Sequence, residues 1–250
     1  MLVEICATSV QSAVNAQQAG AERIELCSEL AVGGITPSYG LLKQITKEIS
    51  IPVFALIRPR SGDFVYSDFE FQVMKTDIEI CKELGCKGIV SGVLQDDFSI
   101  DLLRTQELIE LSKPLEFTFH RAFDLTKNPL KSLEELIDLG ASRILTSGQE
   151  TSAEKGIDLL VQLKKLTENK LTILPGGGIN PDNVHLFKEK GFKEIHASAS
   201  SLFKESLKPK ISMNSEKFWD ETKLFVSDEE IIKKLTDNLV KDSNLDKVQK

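Results

Sequence analysis

The segment Ala19-Gly20-Ala21-Glu22-Arg23-Ile24-Glu25-Leu26 (AGAERIEL) decides the fold, because variants of it recur as LGCKGIV at 84–90, LGASRIL at 139–145 and KGFKEIH at 190–196. In each, a glycine closes an amphipathic stretch and a short apolar run follows. That is the expected grammar of a helix stopped by a left-handed residue and then a strand. Working outward, eight such runs appear: Leu2 to Cys6, Arg23 to Cys27, Pro52 to Arg58, Gly88 to Gly92, Leu115 to His120, Arg143 to Thr146, Leu171 to Pro175 and Glu194 to Ala197. Alternation of this kind predicts an α/β protein built from βα units around a parallel sheet. Eight units in 250 residues fit a single (β/α)8 TIM barrel. A doubly wound sheet would want a G-x-G-x-x-G turn after the first strand, and Ala7-Thr8-Ser9-Val10 offers none. The domain is expected to span 1–240, with Ser227 capping a closing helix from Asp228 to Val240, no clean periodicity over about 205–227, and a polar tail at 241–250. Thr36-Pro37, Asn128-Pro129 and Asn180-Pro181 mark further helix starts.

Composition limits the function classes. With 38 acidic and 31 basic residues, a net charge of −7 and 41% hydrophobic content, the chain is not a general nucleic-acid binder and can bury a large core. No apolar run approaches the roughly 20 residues of a membrane span, and the start Met1-Leu2-Val3-Glu4 lacks signal-peptide character. A cytoplasmic protein with no membrane partner is expected, in which Cys6, Cys27, Cys81 and Cys86 stay reduced. A homo-oligomer is compatible with the sequence.

In a barrel of this type the carboxyl ends of the strands supply the site. Period-two counting places Glu4 with Cys6 and Glu25 with Cys27, so neighbouring strands would aim two carboxylates and two thiols the same way. Arg58, Arg60 and Arg121 are the expected partners of the carboxylates. A structural ion network and a substrate site remain equal alternatives. Two thiolates favour Cu(I), linear or three-coordinate, over a closed zinc site, and the alternative for the cysteines is simple packing. Cys81 and Cys86 read as packing residues.

Three further groups stand at strand ends. His120, Arg121 and Asp124 in FHRAFD, with Glu25, are candidates for acid–base work; a salt-bridged loop is the alternative. Gly176, Gly177 and Gly178 in LPGGGIN, with Ser147, Gly148, Ser198, Arg58 and Arg60, form a candidate anion cradle, since barrels often hold phosphate at the loops after strands 7 and 8. His196 ranks below His120, and His185 reads as a surface residue. No serine elbow, Walker loop, H-E-x-x-H motif or organic-cofactor signature is present.

Taken together, VEICATS, ERIELCSEL with GGITPS, IRPRSGDFVYS, TFHRAFD, ILTSG and PGGGIN resemble the CutC copper-homeostasis family over about residues 1–205. The resemblance implies a cytoplasmic TIM barrel concerned with copper, with Cys6 and Cys27 matching cysteines proposed to bind Cu(I). Where family members commonly read TSGG, this chain has Gln149 in the last position. The alternative function is a barrel enzyme acting on a small anionic or phosphorylated substrate.

Overall fold

The structure, a computed structural model, describes residues 1–167, 169–207, 210–211, 220 and 222–245, the last six as backbone. It begins β1 (Leu2–Ala7), α1 (Val10–Gln18), β2 (Arg23–Leu26), α2 (Tyr39–Glu48), β3 (Val53–Leu56), α3 (Asp68–Glu83), β4 (Gly88–Ser91) and α4 (Leu102–Ser112). It continues β5 (Glu116–Phe119), α5 (Pro129–Asp138), β6 (Arg143–Thr146), α6 (Ile157–Leu166), β7 (Thr172–Pro175), α7 (Val184–Glu189) and β8 (Glu194–Ala197). Then follow an antiparallel hairpin of β9 (Ser200–Glu205) and β10 (Lys223–Ser227), and α8 (Glu229–Leu245). Strands β1 to β7 pair in sequence order and β8 pairs in parallel with β1. The seam between β7 and β8 is reduced to one parallel bridge, Gly176 to His196. The eight units thus form the expected TIM barrel. Gly20, Gly85, Gly140 and Gly191 all take the left-handed conformation read from the repeat.

Three local expectations are corrected. Asp228, not Ser227, caps α8, accepting from the amides of Glu230 and Ile231, while the Ser227 hydroxyl instead donates to the Cys6 carbonyl at 2.9 Å. Helix α2 starts after Ser38, whose hydroxyl accepts from Leu41 N, so Thr36-Pro37 is a lead-in rather than the cap. The hairpin occupies part of the region without periodicity. Its strands are mostly exposed on both faces, so no apolar alternation marks them. Asn128-Pro129 does open α5, and α8 continues to Leu245, leaving 246–250 of the polar tail outside the described residues. Among the described residues no helix is long and apolar enough to cross a membrane.

Alternation along the strands sorts the chain into two cores. Val3, Ile5, Ala7, Ile24, Leu26, Val53, Ala55 and their counterparts pack outward against the helices in one continuous apolar cluster. The opposite face looks into the barrel, where Cys6, Cys27, Phe54, Leu56 and Val90 form a second, small cluster. Beneath it lies a layer of charge. Arg23 donates from Nε to Glu4 and from Nη2 to Glu194, and Arg143 lies 3.3 Å from Glu194 and reaches Glu116. The Phe54 ring lies between the two guanidiniums, 4.8 Å from Arg23 and 4.9 Å from Arg143, within cation–π range of both. Glycine at 88 makes room for that ring, since a Cβ there would fall 2.3 Å from Phe54 Cε2. Gly88→Ala is therefore expected to destabilise the fold by about 1–3 kcal/mol, the usual cost of overpacking a fixed core. Urea denaturation checks this, and an unchanged midpoint would show that the ring is free to move.

Candidate functional site

Glu4 is paired not by Arg58, Arg60 or Arg121 but by Arg23, because the β1–β2 register sets Glu4 directly opposite Arg23. Closure does the rest: β8 lies beside β1 with Glu4 opposite His196, and His196 Nδ1 sits 2.7 Å from Glu4 Oε1. Burial opposes ionisation of Glu4, but His196 and Arg23 outweigh it and bring its pKa down to about 2. Burial likewise opposes the His196 imidazolium, and the Glu25 and Glu4 carboxylates overcome this and raise its pKa. Glu25 differs. Burial dominates there, His196 and Arg23 offset it only partly, and its pKa is pushed up to about 7. Two neighbouring glutamates are thereby held apart in protonation, an arrangement associated with working sites.

Above this layer a cavity of 510 Å³ opens at the carboxyl ends of the strands. One wall carries Cys6, Cys27, Glu25 and His196. The two sulfurs are 3.5 Å apart, and ligand atoms of Cys6, Glu25 and His196 lie within 4.8 Å of one another. The contact with Cys27, burial and the nearby Glu25 and Glu4 hold the Cys6 pKa well above the usual thiol range. Both cysteines are buried and free of disulfides, as are Cys81 and Cys86.

The same cavity is lined by Arg58, Phe64 and His120, with Leu30 and Val32 from a short turn after β2. Arg58 is buried and spends its guanidinium on backbone, donating from Nη1 to Val32 O and Gly34 O and from Nη2 to Gly62 O. Its Nε has no partner. His120 Nδ1 accepts from Ala122 N at 3.2 Å, which leaves the proton on Nε2, and Nε2 is also unpartnered. Burial and the Arg58 charge press the His120 pKa down to about 3, so the ring is neutral.

The remaining sequence-predicted residues divide by position. Arg121, Gly177, Gly178 and Ser198 line the cavity. Gly177 and Gly178 hold φ of 109° and 75°, a region that side chains rarely adopt, so the chain can turn tightly at this rim. Gly176 forms the bridge to His196 beside it. Asp124 accepts from Thr146 Oγ1, Ser147 N and Gln149 N and pairs with Arg121 at 2.8 Å. Together with Ser147, which Arg121 also reaches, it ties the loops after β5 and β6 behind the cavity wall. Gly148 belongs to the same loop, and Gln149 occupies a left-handed position, φ 59°, with its amide donating to Thr126 O. Arg60 is not brought to the cavity. Strand β3 ends at Leu56, so strand periodicity does not extend to residue 60, and its side chain pairs with Glu70 and Asp63 instead. Sequence reading ranked His196 below His120, and the structure sets both on the cavity; it passed over Arg23 and Phe64. The signal for His196 was the Glu194-x-His196 spacing combined with closure of β8 onto β1.

Comparison with known proteins follows the same lines. Residues 1–201 match the model of the CutC family. Over 222 residues the chain is 45% identical to a CutC family protein of Photorhabdus laumondii, covering 88% of this chain and 89% of that one. It is 47% identical over 201 residues to a Homo sapiens protein named copper homeostasis protein cutC homolog, covering 80% and 74% of the two chains. The crystal structure of CutC from Streptococcus agalactiae aligns with a TM-score of 0.75 at 35% identity, over 79% of this chain and 98% of that one. A thiamine phosphate pyrophosphorylase from Pyrococcus furiosus aligns over 96% of this chain with a TM-score of 0.58 at 15% identity, which is a likeness of fold alone. With a family match across residues 1–201 and relatives of this identity along most of its length, the chain belongs to the CutC family.

Proposed function

We propose that the protein takes part in copper handling by binding Cu(I) through Cys6 and Cys27, with His196 as the third ligand. The observation that carries this is the 3.5 Å separation of the two buried sulfurs, one of which, that of Cys6, also lies within 4.8 Å of a His196 ring nitrogen. With metal–sulfur bonds of about 2.3 Å, that separation corresponds to a bent S–metal–S angle of roughly 100°. A linear two-thiolate site would need the sulfurs farther apart, so a third donor is called for. Two thiolates and an imidazole suit a soft cation. Glu4 supports the set by fixing His196 through Nδ1, the outer-shell arrangement that orients a metal-binding histidine and leaves Nε2 as the donor. Both thiols must lose protons, which the metal's charge promotes, so binding strengthens as pH rises.

Anaerobic titration of the reduced protein with Cu(I) against a competing chelator tests the reading. The Cys6→Ser, Cys27→Ser double variant is expected to lose more affinity than the about 10- to 100-fold typical of outer-shell changes. Affinity equal to that of the parent would overturn the assignment.

A further inference from the structure

A single ion at the thiol pair would occupy a small part of the 510 Å³ cavity, which falls within the range of about 300–1,000 Å³ typical of small-molecule sites. Arg58 and His120 have requirements of their own. Arg58 is 4% exposed, all the partners of its guanidinium given by the hydrogen-bond geometry are neutral carbonyls, and among the described residues no carboxylate lies within ion-pair distance of it. A buried guanidinium without a counter-charge is costly unless something anionic meets it. Its Nε, which has only the Tyr66 hydroxyl nearby, and the Nε2–H of His120 both lack a well-formed hydrogen bond, and the Phe64 ring packs against both residues, 4.8 Å from the Arg58 guanidinium and 4.7 Å from the His120 ring. Glu25 Oε2 is buried and has no hydrogen-bond partner either, His196 Nδ1 lying 3.9 Å away. Buried polar atoms are nearly always satisfied, so three orphans on residues lining one cavity point to a ligand that satisfies them.

We propose that this cavity binds a small hydroxycarboxylic acid, its carboxylate against Arg58 and His120, its hydroxyl toward Glu25, and its carbon skeleton on Phe64, Leu30 and Val32. The charge balance selects a carboxylate over a phosphate. Arg58 supplies one positive charge with no carboxylate within ion-pair distance among the described residues, His120 is neutral, and Arg121 already pairs with Asp124 at 2.8 Å. No lysine lines the cavity, and Glu4 beneath it is taken up by Arg23 and His196. His196, the remaining basic group on the wall, is already held by Glu4 at 2.7 Å, so a second negative charge would find no free partner. The hydroxyl serves Glu25 in either protonation state, because a hydroxyl both donates and accepts. The inference does not depend on copper, since none of these contacts uses a sulfur.

The test uses the reduced, metal-free full chain. Its affinity is measured by calorimetry for lactate, 3-hydroxybutyrate and 4-hydroxybutyrate, for the corresponding amides, for propionate and for inorganic phosphate. At least one hydroxy acid is expected to bind about tenfold or more tightly than its amide and than propionate, the scale of one charged hydrogen bond. Phosphate is expected to bind more weakly than that acid. His120→Asn keeps a side-chain acceptor for Ala122 N while withdrawing the Nε2 donor. It is expected to weaken acid binding about tenfold with little change in melting temperature. Amides binding as tightly as acids, phosphate binding best, an unaffected His120→Asn variant, or no binding by any probe at about 20 mM would each overturn the proposal.

Discussion

Replacing Arg23 with alanine is expected to cost the fold about 3–5 kcal/mol, the range for removing one partner of a buried ion pair. Arg23 is 4% exposed and bridges Glu4 and Glu194, which are 1% and 15% exposed as side chains. Without it, Glu4 keeps only His196 as a partner and Phe54 loses one of its two stacked guanidiniums. Hydrophobic contacts elsewhere do not change, so the loss reports the stranded carboxylates. Urea denaturation at neutral pH gives the value. Adding Glu4→Gln to Arg23→Ala should recover part of it, because an amide is far cheaper to bury than a carboxylate. A single variant that loses less than about 1 kcal/mol, the scale of an exposed pair, would show that the network is solvated.

The second large effect has the opposite sign. Glu25→Gln is expected to stabilise the protein at pH 8 by about 1–3 kcal/mol. The sign follows from the raised pKa: from an ordinary 4.5 to about 7, the folded state holds a proton on Glu25 that the unfolded state has released. Stability from this group is therefore complete below about pH 4.5 and is lost as pH rises through about 7. Fully expressed, a shift of this size corresponds to about 3 kcal/mol at 1.36 kcal/mol per unit, and the weakened hold on the His196 imidazolium returns some of it. The difference between variant and parent should vanish near pH 4.5 and plateau above pH 8. Denaturation midpoints at several pH values check the profile. A variant less stable than the parent at pH 8 would mean that Glu25 has a partner in the native state.

The barrel was legible because its signal is repeated and local. A glycine that ends each helix and an apolar run that follows it survive in any one unit, and the closing order of strands follows from their number. Cys6, Glu25 and Cys27 were legible for a related reason, since period-two alternation fixes which side chains share a face before any pairing is known. What escaped depends on register between strands or on where a strand stops. Arg23 belongs to Glu4 because β2 is shifted against β1 by 19 residues of sequence, a quantity no single strand records. His196 gained its role from a neighbour at the other end of the chain. Arg60 was grouped with Arg58 as a strand-end residue, whereas its side chain pairs with Glu70 and Asp63 instead. The hairpin was invisible because exposed strands need no apolar pattern.

That hairpin also has a grip on the barrel. Ser227, its last residue, donates its hydroxyl to the Cys6 carbonyl and its amide to Ser12, and accepts at its own carbonyl from Asn15. A second cavity of 460 Å³ runs between the hairpin and the loops after β1 and β2, with Cys6 in its wall. The family match ends at residue 201, ahead of Ser227. Sequence drift in this segment can therefore shift the Cys6 backbone, and with it one sulfur against the other, while all eight staves stay unchanged.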